Sequence, residues 1–224
     1  MKDALDIVRH PRARRTRLSV DPASGRVRLT VPRRAALRDA LAWAEEKREW
    51  IAEQQAKLPV ARPFFPGSEI PFGDGSLTID WSDQRSRTTA RDGDRLVCGG
   101  PREGLSRRIV AWLKREALRL LDAETNEFAW RAGVEVAGVS VADPKARWGS
   151  CASRGAIRYS WRLILAPDAV RRSTVAHEVA HRVHMNHGPA FHALVAELYG
   201  RDPKAERDWL RRHGASLHWF GRES

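Results

Sequence analysis

The sequence predicts an α+β fold in two parts: a β-rich N-terminal region with one helix, and a second half with a small sheet and several helices. Alternating apolar and polar residues mark short strands in the first hundred residues. Apolar residues at helical spacing mark long segments near 35–57 and 105–130. A composition of 42% hydrophobic and 30% charged residues over 224 positions is typical of a globular protein with a sizeable core.

The N-terminal region begins with a predicted hairpin, because strand-like alternation occurs on both sides of the turn sequence D-P-A-S-G at 21–25. A helical pattern follows, with Trp43 and Trp50 seven residues apart. The segment L-P-V-A-R-P-F-F-P-G is proline-rich and aperiodic, which predicts a connector. The expected elements are strands 18–20 and 27–31, helix 35–57, connector 58–67, and strands 76–81 and 95–98.

The run Gly99-Gly100-Pro101 is the predicted boundary, which divides the chain into regions 1–101 and 102–224. The second region alternates helical and strand-like patterns. Pro167 and Asp168 are typical of a helix start. The expected elements are helix 105–130, strand 134–141, loop 145–150, a strand at the border of a sheet within 156–165, and a helix from 168.

The chain has no apolar run of the length that a membrane helix needs, and its first residues lack the pattern of a signal peptide. We therefore expect a cytoplasmic protein without a membrane partner. The two cysteines, Cys98 and Cys151, are expected to be reduced thiols, and two cysteines alone do not form a structural zinc site.

The net charge of +12 makes an anionic partner a hypothesis to consider. Only six of the 40 basic residues are lysine, so the charge also fits a general preference for arginine. In the basic N-terminal region, nucleic-acid binding and a solvated hairpin both remain open. Its arginines are Arg9, Arg12, Arg14, Arg15, Arg17, Arg26, Arg28, Arg33 and Arg34.

The segment T-V-A-H-E-V-A-H contains the candidate metal ligands and the candidate general base. His177 and His181 lie four residues apart, so on a helix both imidazoles reach one ion. Valines at 175, 179 and 183 form a separate stripe that is expected to bury this helix. In an HExxH arrangement the glutamate, here Glu178, does not bind the metal but acts as the general base towards water.

His187 is the predicted third ligand, because it follows the expected end of the helix. Asn186 in a left-handed conformation, or the permissive Gly188, would turn the chain back towards the ion. His192 and Glu197 are the competing ligands, whereas His184 lies too far along a continuous helix. Three protein nitrogens with an open fourth position are typical of a single catalytic Zn²⁺ ion.

Two blocks, R-W-G-S-C-A-S-R-G-A-I-R-Y-S-W-R-L-I-L-A-P and H-E-V-A-H-R-V-H-M-N-H-G-P-A-F, span 147–191. Together they resemble the YgjP-like metallopeptidases, relatives of the SprT and Wss/Spartan zinc proteases. The resemblance implies a zincin-like catalytic half with an HExxH active-site helix. It also implies zinc ligands at His177, His181 and His187, and catalysis by Glu178.

The expected activity is therefore zinc-dependent hydrolysis of peptide bonds, with a protein or peptide as substrate. Arg147, Tyr159 and His192 are candidate substrate-binding residues, and strand 156–161 is the candidate edge for pairing with an extended substrate. Two alternatives remain open: a zinc-dependent phosphohydrolase acting on nucleotides, and a protease of the SprT/Spartan type that nucleic acid recruits through the basic N-terminal region.

Overall fold

The computed structural model describes residues 5–223 and divides the chain into two compact units, Met1–Val60 and Ala61–Ser224. The division falls inside the predicted connector, not at the predicted boundary near residue 101. The reason is the core: Leu77 and Leu96 are buried in the same apolar cluster as Leu113 and Val175 of the second half. The strands between residues 69 and 99 therefore belong to the second unit.

The N-terminal unit is a three-stranded sheet with two helices. In chain order it contains β1 (Leu5–His10), β2 (Arg17–Val20), β3 (Val27–Pro32), α1 (Leu37–Glu46) and α2 (Arg48–Ala56). The predicted hairpin is confirmed, since β2 pairs antiparallel with β3. The Asp21 carboxylate accepts a bond from the Ala23 amide at 3.0 Å and stabilises the turn. Strand β1, which the alternation did not predict, adds parallel to the other side of β3.

The helical pattern at 35–57 forms two helices instead of one, because Lys47 interrupts it between α1 and α2. The inward faces of the sheet and the helices form a small core. Its buried residues are Leu18, Val27, Leu29, Val31, Ala40, Ala44 and Ile51. Burial of these side chains is what holds the helices on this short sheet.

The second unit begins with a four-stranded sheet in the order β4-β5-β7-β6. Its strands are β4 (Glu69–Phe72), β5 (Gly75–Ser82), β6 (Ala90–Asp92) and β7 (Arg95–Gly99). The predicted strands 76–81 and 95–98 are confirmed as β5 and β7, while the short strands β4 and β6 have too few residues to show an alternating pattern.

The long helix α3 (Leu105–Ala132) follows and ends at Gly133, whose φ of 63° stops it. Two further helices, α5 (Pro189–Tyr199) and α6 (Lys204–Leu217), complete the unit after α4 (Asp168–Ala180). The predicted start of α4 at Asp168 is confirmed. Among residues 5–223, no helix has an uninterrupted apolar stretch long enough to cross a bilayer.

A second sheet, in the order β8-β10-β9, lies beside α4. It consists of β8 (Gly138–Ala142), β9 (Gly149–Cys151) and β10 (Ala156–Ser160). The expectation that 156–161 is a border strand was wrong: β10 is the central strand, parallel to β8 and antiparallel to β9. A 3₁₀ helix at Trp161–Leu165 then leads into α4. The α+β class is confirmed.

Candidate metal centre

Helix α4 carries His177, and its C-terminal cap residue is His181, so the two histidines lie one turn apart. Val175 and Val179 are fully buried and fix the opposite face of the helix in the core. His177 and His181 therefore lie together on the side of the helix away from these valines. The expected third valine of the stripe does not take part, since α4 ends at Ala180 and Val183 is 46% exposed beyond it.

The chain turns after α4 and brings a third histidine back. The His184 amide still donates to Ala180 O at 2.9 Å, and the helical path then ends. A γ-turn follows at His187, closed by a bond from Gly188 N to Asn186 O at 2.8 Å. The expected left-handed Asn186 was wrong, because no described residue other than glycine has a positive φ.

The ring nitrogens of His177, His181 and His187 converge. One nitrogen of each ring lies within 4.8 Å of the others, and among residues 5–223 these three residues form the only group of this kind. The Nε2 atoms of His177 and His187 are 3.2 Å apart. This spacing is the distance between ligands that share one metal ion at about 2.0–2.1 Å from each nitrogen. The competitors His192 and Glu197 are not in the group.

A phenylalanine supports all three imidazoles. Phe191 is fully buried in α5, and the centre of its ring lies 4.9, 4.6 and 4.7 Å from the rings of His177, His181 and His187. Contacts of this kind fix ring orientation. The position of Phe191, four residues after His187, is the only sequence signal for this role.

The protonation states of His177 and His181 fit metal binding. His181 Nδ1 lies 3.1 Å from the backbone oxygen of His184. When Nδ1 carries the proton and donates it to this oxygen, Nε2 keeps a free lone pair that can bind a metal. Burial and the neighbouring His181 and His187 charges lower the pKa of His177 to about 4, and burial also lowers the pKa of His181. Both imidazoles are therefore neutral at physiological pH, as metal ligands must be.

Glu178 lies on the next face of α4, with 5% of its surface exposed. Burial raises its pKa to about 7, while the positive charge of Arg147 acts in the opposite direction. Its carboxyl group packs on Gly149 of β9, where a Cβ would come within 2.6 Å of Glu178 Cγ. Gly149 is therefore a requirement of the site, because any side chain there would displace Glu178.

This site lies inside the segment recognised by a protein-family model. The model for the YgjP-like metallopeptidase domain matches residues 14–213. The chain belongs to the YgjP-like metallopeptidase family. Neither the curated proteins nor the solved structures contain a match to it.

A cavity of about 210 Å³ opens beside Glu178 and His177 in this YgjP-like protein. Trp148, Val195 and Leu210 provide apolar walls, and Arg207 adds a positive charge. That charge helps to lower the pKa of His177. Arg207 lies 26 residues after His181, in α6. Since helices contact one another independently of their distance in sequence, no local pattern predicts Arg207.

The three candidate substrate residues have different environments. Tyr159 was expected at the substrate, but it is fully buried and its hydroxyl bonds Thr125 at 3.1 Å. It belongs to the core of this YgjP-like domain, and its expected role was wrong. Arg147 is exposed near Glu178. His192 is also exposed, with its ring centre 6.3 Å from that of His187.

Proposed function

We propose that the chain is a zinc-dependent endopeptidase, with His177, His181 and His187 as ligands and Glu178 as general base. The observation that supports this most strongly is the convergence of three imidazoles beside a buried glutamate. Three neutral nitrogen ligands with one open position fit Zn²⁺ better than Mg²⁺ or Ca²⁺, which prefer oxygen. When bound, zinc polarises a carbonyl group and increases the acidity of water.

Glu178 performs the proton transfers in this proposal. Its carboxylate takes a proton from the attacking water and returns it to the nitrogen of the leaving amine. The cavity beside it is partly enclosed by Trp148 and Leu210, which limits competing water. Because Gly149 has no side chain, it leaves the space beside β9 that the Glu178 side chain occupies.

Strand β9 is the proposed docking edge for an extended substrate. It pairs with β10 on one side, and within residues 5–223 no strand pairs with its other side. Ser160 N donates to Trp148 O, and Ala152 N donates to Ala156 O, at 2.8 and 2.9 Å. Because hydrogen-bonding directions alternate along an antiparallel pair, Gly149 and Cys151 direct their amide and carbonyl groups away from β10. These groups are available to pair with a substrate backbone.

The proposed peptidase has a direct test. The purified 224-residue chain, loaded with zinc, is incubated with an unfolded protein such as casein, and new amino termini are counted. We expect cleavage that Glu178→Gln abolishes while zinc content stays at the wild-type level. Glu197→Gln is the matched control, since Glu197 is an exposed glutamate of α5 outside the histidine group.

The same proteins distinguish the phosphohydrolase alternative. They are incubated with nucleoside triphosphates, and phosphate and pyrophosphate release is measured. Release that depends on Glu178, together with intact casein, would replace the peptidase proposal with the phosphohydrolase. Equal casein cleavage by wild type and Glu178→Gln would contradict the role of Glu178 as base.

A further inference from the structure

A basic groove in the N-terminal unit has no part in the proposed peptidase chemistry. The groove has a volume of about 1020 Å³ and lies where the loop between β1 and β2 meets the two helices of that unit. Within the described residues 5–223, no acidic side chain lines it. Its basic side chains, all exposed, are Arg12, Arg14, Arg15, Arg17 and Lys47.

These five cations differ from Arg9, Arg28 and Arg48 of the same unit, whose side chains have partners inside it. Arg28 pairs with Asp6 at 2.8 Å, and Arg48 pairs with Glu45. Arg9 donates to three backbone oxygens, including that of Arg33 at 2.8 Å. Across the described chain, by contrast, no ion pair involves the basic residues of the groove. Their charges repel one another, and an anion would relieve that repulsion.

The positive surface continues beyond the groove. A second depression of about 640 Å³ is lined by Pro11, Ala13, Pro32, Arg33 and Arg34, and it shares Ala13 with the groove. A single phosphate or carboxylate would use only a part of this surface. The extent of the charge therefore fits a polymer with regularly spaced negative charges.

Two tryptophans line the same groove and indicate which kind of anionic polymer it fits. Trp43 is half-buried, and Trp50 is 38% exposed. Exposed indole rings beside basic side chains are the combination that binds unpaired bases, because the rings stack on bases while the cations contact phosphates. A duplex keeps its bases stacked inside, and acidic peptides or anionic lipids have no bases.

We propose that this basic groove binds single-stranded nucleic acid, with Trp50 as a stacking platform and Arg12, Arg14, Arg15, Arg17 and Lys47 as phosphate contacts. The site is independent of the histidine centre, so its success or failure does not decide the peptidase proposal. It also gives the strongly basic N-terminal region a specific ligand class.

The test measures the fluorescence anisotropy of labelled oligothymidine and oligouridine, each of roughly twelve nucleotides, as the 224-residue chain is added. We expect binding that weakens linearly on a logarithmic salt scale, with a slope of about −3.5 when five phosphates are contacted. Tryptophan fluorescence should be quenched on binding. The DNA and RNA arms show whether the sugar contributes, and binding of either supports the proposal.

Variants at two places in the groove locate the ligand. Arg14→Ala/Arg15→Ala should make the salt slope shallower by about 1.4, the value for two lost contacts to a single strand. Trp50→Ala should weaken binding about tenfold, and Trp50→Phe, which retains a ring, should restore most of it. Matched controls are Arg26→Ala/Arg38→Ala, which removes the same charge outside the groove, and Trp130→Ala, which removes a tryptophan that is 83% exposed in the second unit.

Several results would overturn the proposal. One is the absence of binding at about 50 mM salt, where phosphate contacts are strongest. Another is equal affinity for duplex DNA, heparin, polyglutamate or anionic vesicles, which would show a general polyanion surface. A third is equal weakening by the control variants. A cooperative thermal unfolding transition of each variant confirms that it is folded. If Trp50→Ala does not fold, Trp50→Phe still tests the role of Trp50.

Discussion

Gly149 lies directly against the carboxyl group of Glu178, and a Cβ at residue 149 would come within 2.6 Å of Glu178 Cγ. The β9 strand and the α4 helix are thereby joined at the one glutamate that the proposed reaction uses. The strand proposed to pair with substrate therefore contacts the helix that carries the proposed base.

Replacing this glycine tests that relationship. Gly149→Ala should reduce kcat/KM by about 100-fold, because a displacement of the base by about 1 Å has an effect of this size. Zinc content should not change. Gly138→Ala is the matched control, since Gly138 lies in the same sheet with no atom within 4 Å of its Cβ position. Equal activities of the two variants would contradict the role of Gly149.

Phe191 offers a second test, because three imidazoles pack on its ring. Phe191→Ala should reduce the free energy of unfolding by about 3–5 kcal/mol, as expected for a fully buried phenylalanine. It should also weaken zinc affinity, measured by competition with a chelator. Phe65→Ala, which removes a ring that is 49% exposed, should leave both quantities unchanged. Wild-type zinc affinity in a folded Phe191→Ala protein would show that the ring does not orient the ligands.

A buried ion pair connects α3 to the helix of the proposed ligands. Arg171 donates to Glu124 through Nε at 3.1 Å and Nη2 at 2.7 Å. Arg171→Met should lower the free energy of unfolding by about 3 kcal/mol, because the buried Glu124 carboxylate then has only Arg172, 3.9 Å away, as a cationic partner. Adding Glu124→Leu should recover much of the loss. Arg119→Ala is the control, because it breaks an exposed ion pair with Glu116. It should change the free energy of unfolding by less than about 1 kcal/mol.

The ion pair between Asp143 and Arg162 leads us to expect that acid destabilises the second unit. Burial acts to raise the pKa of Asp143, but the Arg162 bond at 2.7 Å and the Lys145 charge outweigh it and lower the pKa below 3.8. A lowered folded-state pKa means that its contribution to stability is present above about pH 4 and is lost as pH falls through the folded-state value. Urea unfolding at decreasing pH should show this loss in wild type and a smaller one in Asp143→Asn. Identical pH profiles would contradict the assignment.

Local patterns predicted the elements whose stability is mainly local. The α4 start at Asp168, the hairpin of β2 and β3, and the helix from Leu105 all follow signals within a few residues. The convergence of His177 and His181 follows from helical geometry alone.

Features that depend on distant contacts were not predictable in this way. The apolar run that begins at Ala156 fits a border strand and a central strand equally, and only pairing with β8 and β9 distinguishes them. Burial of Tyr159 depends on Thr125, 34 residues away. The boundary after Val60 depends on the core in which Leu77 and Leu96 are buried. The residues next to them in sequence do not indicate which core that is.

Metal analysis of three purified proteins tests the central claim most directly. Wild type should contain one zinc ion per chain, and His187→Ala should lose it, because the Nε2 atoms of His187 and His177 lie 3.2 Å apart at the proposed ligand position. His184→Ala should retain zinc, since only the backbone oxygen of His184 contacts His181. A wild-type protein without bound zinc, or a His187→Ala protein with the full wild-type content, would contradict the account.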